Sequence, residues 1–149
     1  MRDGAPNGYS IITFDSAKAT FDFKAARFPK SHQLRIHAPV SIAAKDAAQT
    51  QVYVNVFAGS EKSTVKLRVD NGKWLALKKT VEADPYYVQL RKQEILNKIK
   101  PELNAPTDSH HLWKGPLPAK LAKGTHLLEA VTRDMYGREF STRRFLRVD

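Results

Sequence analysis

The sequence predicts a mainly β protein, a sandwich with one inserted amphipathic helix and an N-terminal β-hairpin. Side chains alternate strictly along residues 124–133, before a turn and a final strand, as in strands with one buried and one wet face. Asn71-Gly72 stands between two alternating runs, a strong hairpin signal because both residues tolerate positive φ. Only the segment between Pro85 and Pro101 has the apolar spacing of a helix. Since many immunoglobulin-like sandwiches end in such a closing hairpin, we expect an immunoglobulin-like β-sandwich.

The N-terminal hairpin is predicted over residues 9–25, with a turn at 15–18. Phe21 and Phe23 share one face of its second strand. An isolated hairpin is marginally stable in water, so this one must pack on another element. Pro29-Lys30-Ser31 looks like a linker. We therefore divide the chain into a hairpin or strap, residues 1–29, and a sandwich domain, residues 30–149.

Four further strands are expected at residues 33–38, 51–58, 64–69 and 73–78. The second of them carries apolar side chains on both faces, which favours a central strand covered on both sides. The Ala-rich stretch 43–48 favours a short helical turn. Alternate residues from Val65 to Val69 are expected to face the core, and Trp74 to begin the return strand after Asn71-Gly72.

The helix is predicted to begin after Asp84, which can cap it, with Pro85 in the first turn, where a missing N–H is not needed. Pro101 ends it. Its apolar stripe consists of Val88, Ile95, Leu96 and Ile99. We expect this helix to lie against the sandwich and to cover a sheet edge.

Residues 101–123 contain four prolines and are predicted to form a long loop. After it, Leu128, Ala130 and Thr132 are expected on one face of the penultimate strand. His126 is expected to be half-exposed where that strand begins, and a turn is expected around residues 134–137.

Composition limits the function. The 149 residues include no cysteine, which excludes disulfides, thiolate metal sites and thiol nucleophiles. The net charge is +10, but the basic excess is spread along the whole chain rather than concentrated in a stripe, so we expect no specific nucleic-acid partner. No apolar run approaches the roughly 18 residues of a membrane-spanning helix, and no signal-peptide pattern is present.

No catalytic, cofactor or metal residue is expected in this chain. Nucleophile elbows, phosphate-binding loops, dinucleotide fingerprints and zinc-protease motifs are missing from the sequence. Asp108-Ser109-His110 spells Asp-x-His, but no further metal-binding series follows it. The neighbouring His110 and His111 would diverge in an extended chain.

Aromatic residues suggest a binding role. His110, His111, Trp113 and Trp74 are the candidate ligand or interface residues. An aromatic sugar-binding platform could consist of Trp74, Tyr86, Tyr87 and Trp113, although these residues could instead anchor the core or a domain interface. The corresponding alternative function is a glycan- or cell-envelope-binding module that uses Trp113 and the Pro-rich loop.

Several segments together resemble the C-terminal region of bacterial calcineurin-like metallophosphoesterases: residues 3–15, 54–61, 84–87 and 124–138. The resemblance implies a non-catalytic accessory domain of a secreted or periplasmic hydrolase, with the adjoining catalytic domain as its partner. It implies that the divalent metals of the family are bound upstream, since none of the family's metal motifs matches a residue here. It also implies that the hairpin closes the catalytic sheet or straps it to the tail domain, and that this chain alone does not hydrolyse phosphoesters.

Overall fold

The computed structural model describes all residues, 1–149, and shows two facing sheets with a separate hairpin at one end. The strands are β1 (Gly8–Asp15), β2 (Lys18–Ala25), β3 (Leu34–His37), β4 (Ser41–Ile42), β5 (Gln51–Val56), β6 (Thr64–Val69), β7 (Leu75–Ala76), β8 (Lys78–Ala83), β9 (Asp108–Pro116), β10 (Gly124–Arg133) and β11 (Glu139–Val148). A 3-10 helix spans Ala44–Gln49, and α1 spans Pro85–Leu96. The prediction of a mainly β sandwich is confirmed.

The two sheets have the strand orders β4-β11-β10-β6-β7 and β3-β5-β9-β8. All pairs are antiparallel except β4 with β11. As the alternation predicts, Leu128, Ala130 and Thr132 are completely buried and face the other sheet. β5 lies between β3 and β9, which confirms its central position. Apolar residues from both sheets form one core of 15 buried residues, whose burial drives the sandwich together.

The hairpin after β6 is much shorter than predicted. Its return strand, β7, has only two residues, and the positive φ falls on Asp70 rather than on Gly72. Leu77 then enters the core, and the chain crosses to the other sheet as β8. The crossing gives β9 a neighbour on its second edge, so its backbone groups are paired on both sides.

The prediction of a loop over residues 101–123 is wrong, because β9 lies inside it. Pro106 and Pro118 flank this strand, and Pro116 is its last residue, so no proline interrupts the ladder. A register shift in the β8–β9 pairing hides the alternation that would have marked the strand. Residues 101–107 and 117–123 remain outside the strands.

Helix α1 begins as predicted, with the Asp84 side chain accepting hydrogen bonds from the N–H groups of Tyr86 and Tyr87. The helix ends at Leu96 rather than before Pro101, so Ile99 lies beyond it. The prediction that the helix covers a sheet edge is wrong, because the four side chains of the expected apolar stripe are exposed, Leu96 by 70%. The helix packs instead through the buried Tyr87, whose hydroxyl donates to the Asn104 carbonyl. No helix of the chain has the length and apolar character needed to cross a membrane.

Candidate domain interface at the N-terminal hairpin

The two tryptophans singled out from the sequence do not form a common platform. Trp113 is only 3% exposed and lies in the sandwich core, where a Cβ on Gly59 would come within 2.8 Å of its ring. Trp74 is 40% exposed and carries the Arg68 guanidinium 4.5 Å from its ring centre. The Trp113 ring is enclosed by the protein and presents no face to a sugar, whereas Trp74 lies at the surface.

The two neighbouring histidines also have different surroundings. His110 is exposed, whereas His111 is half-buried. Its Nδ1 lies 2.8 Å from the Asn55 side-chain oxygen, and its Nε2 lies 3.3 Å from the Asp3 carboxylate. Burial would raise the pKa of Asp3, but the Ala5 N–H and His111 stabilise its charged form and lower it. His111 therefore helps to attach the N-terminal segment (residues 1–7) to the sandwich.

Asn55 is the centre of this attachment. Its amide donates to the backbone oxygen of Asp3 and to the buried carboxylate of Asp84, the residue that caps α1. Gly4 has a φ of +86° and lies so close that a Cβ there would be 2.3 Å from the Asp84 carboxyl carbon. Arg35 donates to the Gly4 carbonyl at 3.0 Å. Segments that are far apart in sequence therefore meet in one buried polar network, whose polar groups are hydrogen-bond partners of one another.

The histidines and carboxylates of this chain do not form a cluster of metal ligands. No group of three or more His, Cys, Asp and Glu side chains is arranged to hold a metal ion. In β9, Asp108 and His110 are exposed while Ser109 between them is buried.

The base of the N-terminal hairpin is packed on the sandwich. Phe23 and Ala25 of β2 form a small core with Ala5 and Phe57, and the two phenylalanine rings meet edge to face at 6.0 Å. Gln33 donates to the Phe23 carbonyl at 2.8 Å. The proposed parts 1–29 and 30–149 thus share a buried core at their junction.

The closing turn (residues 134–138, between β10 and β11) makes the second attachment of the hairpin. The Phe21 N–H donates to the Tyr136 hydroxyl at 3.1 Å, and Arg138 donates to the Phe21 carbonyl at 2.9 Å. Arg138 also pairs with the carboxylates of Asp22 and Asp134, each at 2.6 Å. Burial disfavours the charged form of Arg138 and would lower its pKa, but the two carboxylates have the larger combined effect and raise the pKa of Arg138.

A cavity of about 190 Å³ remains between the hairpin and the sandwich. Its walls are mainly apolar and include Phe21, Met135, Tyr136 and Phe140. The hairpin is therefore held by hydrogen bonds and ion pairs at its middle and by apolar packing at its base, and it does not collapse onto the sheets.

β1 itself touches no second layer. Every residue of this strand is exposed, including Tyr9, Ile11, Ile12 and, by 76%, Phe14. Successive side chains of a strand point to opposite faces, so apolar groups are exposed on both faces. Burying a large apolar side chain is worth about 1.5–3 kcal/mol, so this surface favours contact with another protein layer.

Sequence reasoning missed the residues that hold this surface, namely Asn55, Arg35, Tyr136 and Arg138. One signal was available: Asn55 is a polar residue in an otherwise apolar central strand, and buried polar groups need partners. The contacts of the closing turn had no local signal, because Arg138 and Asp22 are 116 residues apart.

Comparisons with known proteins place this geometry in context. A family model described as the C terminal of calcineurin-like phosphoesterase matches residues 1–140. No curated protein matches the chain. The chain is similar to the crystal structure of CopC from Methylosinus trichosporium OB3b, at 14% identity and a TM-score of 0.38, over 76% of this chain and 85% of that one.

Proposed function

The chain belongs to the family of C-terminal regions of calcineurin-like phosphoesterases, and we propose that it acts there as a non-catalytic accessory domain. It supports the catalytic domain, and the N-terminal hairpin is the part that contacts that domain. The observation that carries this proposal is β1, an eight-residue strand whose apolar side chains are all exposed. A periplasmic or secreted location, implied by the resemblance, belongs to the same proposal.

A supporting surface works best when it is fixed before it binds, because less conformational entropy is then lost. The hairpin meets this condition. Phe23 packs against Phe57, Gln33 holds the Phe23 carbonyl, and Arg138 joins Phe21 and Asp22 to the closing turn. The sandwich therefore orients the hairpin toward its partner.

The first test concerns catalysis. The purified chain is assayed with bis-p-nitrophenyl phosphate and added manganese, beside the whole phosphoesterase that contains it. We expect metal-dependent turnover by the whole enzyme and none by the chain. Metal-dependent turnover by the chain alone would show that the accessory assignment is wrong.

The second test concerns the hairpin. Phe14→Ser in the whole enzyme should lower its melting temperature by several degrees and reduce its activity, because Phe14 is buried only when the domains are in contact. Leu96→Ser is the matched control, since Leu96 is about as exposed but lies on α1. Equal effects of the two substitutions, or none from either, would refute a contact through the hairpin.

A glycan-binding function is the second candidate, and the exposed ring of Trp74 is the observation that favours it. This ring borders a groove of about 350 Å³ that is also lined by Lys73, Pro116 and Pro118. A glycan array probed with the chain and with Trp74→Ala tests it. Binding that is lost in the variant supports this function, whereas no binding, or binding indifferent to the substitution, excludes it.

A further inference from the structure

The ring of Trp74 is held in place by a row of charged side chains that crosses three strands. Glu129 of β10 lies opposite both Arg143 of β11 and Arg68 of β6. Its two carboxylate oxygens accept hydrogen bonds from Arg143 Nη2 at 2.9 Å and from Arg68 Nε at 2.6 Å. The Arg68 guanidinium, fixed in this way, lies 4.5 Å from the centre of the Trp74 ring. Because a cation at this distance is attracted to the face of the indole, the row holds Trp74 in one orientation.

The groove beside this ring, which we call the Trp74 groove, combines apolar walls with positive charge. It has a volume of about 350 Å³. Its two charged lining residues, Arg68 and Lys73, are both basic. Besides Trp74, its apolar lining residues are Leu67, Val69, Leu75, Pro116, Leu117 and Pro118. A ligand of this groove therefore meets an apolar surface and basic side chains, but no carboxylate.

The acidic side chains next to the groove already have partners. Glu129 is bound by the two arginines of the row. Asp70, directly after β6, accepts a hydrogen bond from the Leu127 N–H at 2.9 Å and lies 2.8 Å from Nδ1 of His126. Lys73, by contrast, is exposed and forms no ion pair with a carboxylate of the chain. Its ammonium group is therefore available to an anionic ligand.

We propose that the Trp74 groove binds an acidic saccharide, with the apolar face of a sugar ring stacked on Trp74 and the carboxylate of that sugar paired with Lys73. The proposal rests on the glycan-binding candidate described above and specifies the class of sugar. Pro116 and Pro118 add apolar contact. Because Trp74 lies at the surface with 40% of its area exposed, hydroxyl groups of the sugar remain in contact with water.

The lining of the groove favours an acidic saccharide over a neutral one. The side chains of the groove include no hydrogen-bond acceptor, so a neutral sugar gains little there beyond apolar contact. A carboxylate, in contrast, forms a charge-assisted hydrogen bond with the ammonium group of Lys73. The fixed ring of Trp74 also favours binding, because little conformational freedom is lost when a sugar stacks on it.

The same charge pattern disfavours a nucleic acid as the ligand. Single strands bind where stacking aromatic side chains accompany a positive surface that follows the phosphates. The row beside Trp74 instead alternates in sign, since Glu129 lies between two arginines. With Arg68 bound to Glu129, Lys73 is the one lining cation without a carboxylate partner. One free cation suits a single carboxylate rather than a chain of phosphates.

A matched pair of saccharides tests the role of the acidic group. A glycan array that contains uronate-bearing, sialylated and neutral glycans identifies the acidic glycan that the chain binds best. The chain is then titrated with this glycan and with its methyl ester, which keeps the sugar rings and removes the charge. We expect the acid to bind about fivefold more tightly than the ester, the effect of one exposed ion pair. Equal affinity for the two would overturn the proposal.

Substitutions in the groove identify the residues that bind the acid. Lys73→Gln should remove the preference for the acid over its ester, whereas Trp74→Ala should weaken the binding of both. Lys62→Gln is the matched control, because Lys62 is also exposed and also lacks an ion pair. An equal loss of affinity in the two lysine variants would indicate general attraction to a basic chain and would overturn the proposal. Unchanged melting temperatures show that the variants are folded.

The proposal and the glycan-binding candidate fail in different ways. If glycans bind and lose affinity in Trp74→Ala, but the acid has no advantage over its ester, the acidic class is refuted and the glycan-binding function stands. If no glycan on the array binds, both are refuted. Neither outcome affects the accessory function, which concerns the N-terminal hairpin.

Discussion

The two long hairpins of this chain obey the same local rules and end in opposite surroundings. β1 and β2 have eight residues each, β10 and β11 have ten each, and both pairs keep their register from end to end. β10 has a neighbour on each edge and the second sheet against one face, so Leu128 is fully buried. β1 has one neighbour and no covering layer, so Phe14 is exposed. Local pattern makes a strand, but only the surrounding layers make it part of a core.

The largest difference between the hairpins should appear on truncation of an apolar side chain. Leu128→Ala should destabilise the chain by about 2–5 kcal/mol, because it removes buried surface and leaves a cavity. Denaturant unfolding measures the change. The control is Ile12→Ala, which should cost less than about 0.5 kcal/mol in the chain by itself, since this residue is 48% exposed and lies outside the core. A similar loss for both variants would contradict the comparison.

Disruption of the buried polar network around Asn55 should have the second-largest effect on the free energy of unfolding. Asp84→Ala removes the cap of α1 and leaves the Asn55 amide with the Asp3 carbonyl as its one remaining acceptor, so we expect a loss of about 2–3 kcal/mol in unfolding free energy. Asp84→Asn keeps a capping oxygen and should lose less. If the alanine variant unfolds at the wild-type denaturant concentration, the network does not hold the N-terminal segment.

Loss of the attachment between the N-terminal hairpin and the closing turn should have a smaller and more local effect on stability. Arg138→Ala removes the ion pair with Asp22 and the donor to the Phe21 carbonyl, and its partly exposed site limits the cost to about 1 kcal/mol. The Phe21 amide should exchange faster, while amides of β10 should be unchanged. Arg138→Lys keeps the charge but not the several directed donors, so it should restore only part of the protection.

The smallest expected effect is a pH dependence in the C-terminal hairpin. His126, expected to be half-exposed, is buried, and its ring bonds the Ala122 carbonyl and the Asp70 carboxylate, each at 2.8 Å. Both contacts raise the pKa of His126. The pKa of Asp70 is lowered by His126 and by the Leu127 N–H.

The sign of the effect follows from these directions. The His126 contribution is fully present below its unfolded pKa near 6.5 and is lost as the pH rises through its higher folded pKa. The Asp70 contribution is present above its unfolded pKa and is lost as the pH falls through its lower folded pKa. Stability from the pair should therefore be greatest between about pH 4 and 6.5, by no more than about 1 kcal/mol. Unfolding experiments on His126→Gln should show a flatter profile over pH 6–8, and an unchanged slope would contradict this assignment.

The apolar stripe of α1 shows which structural features a sequence pattern can predict and which it cannot. Its spacing is helical, and α1 indeed begins after Asp84, but the stripe faces outward. Periodicity gives the direction in which apolar side chains point relative to one another. It does not specify whether another element lies there, and in this fold Tyr87 makes the contact instead.

Sequence patterns were sufficient to predict the strands with clean alternation and the capped start of α1, and the ordered motifs were sufficient to suggest the family. The strands and the start of the helix depend on residues two to four positions apart, whose geometry is set by the local backbone. The packed fold was needed to show that the chain crosses between the sheets at Leu77, that β9 lies in the proline-rich segment, and that Asn55 joins Asp3 to Asp84. The physical reason is that burial and the pairing of polar groups are settled by neighbours far away in the chain.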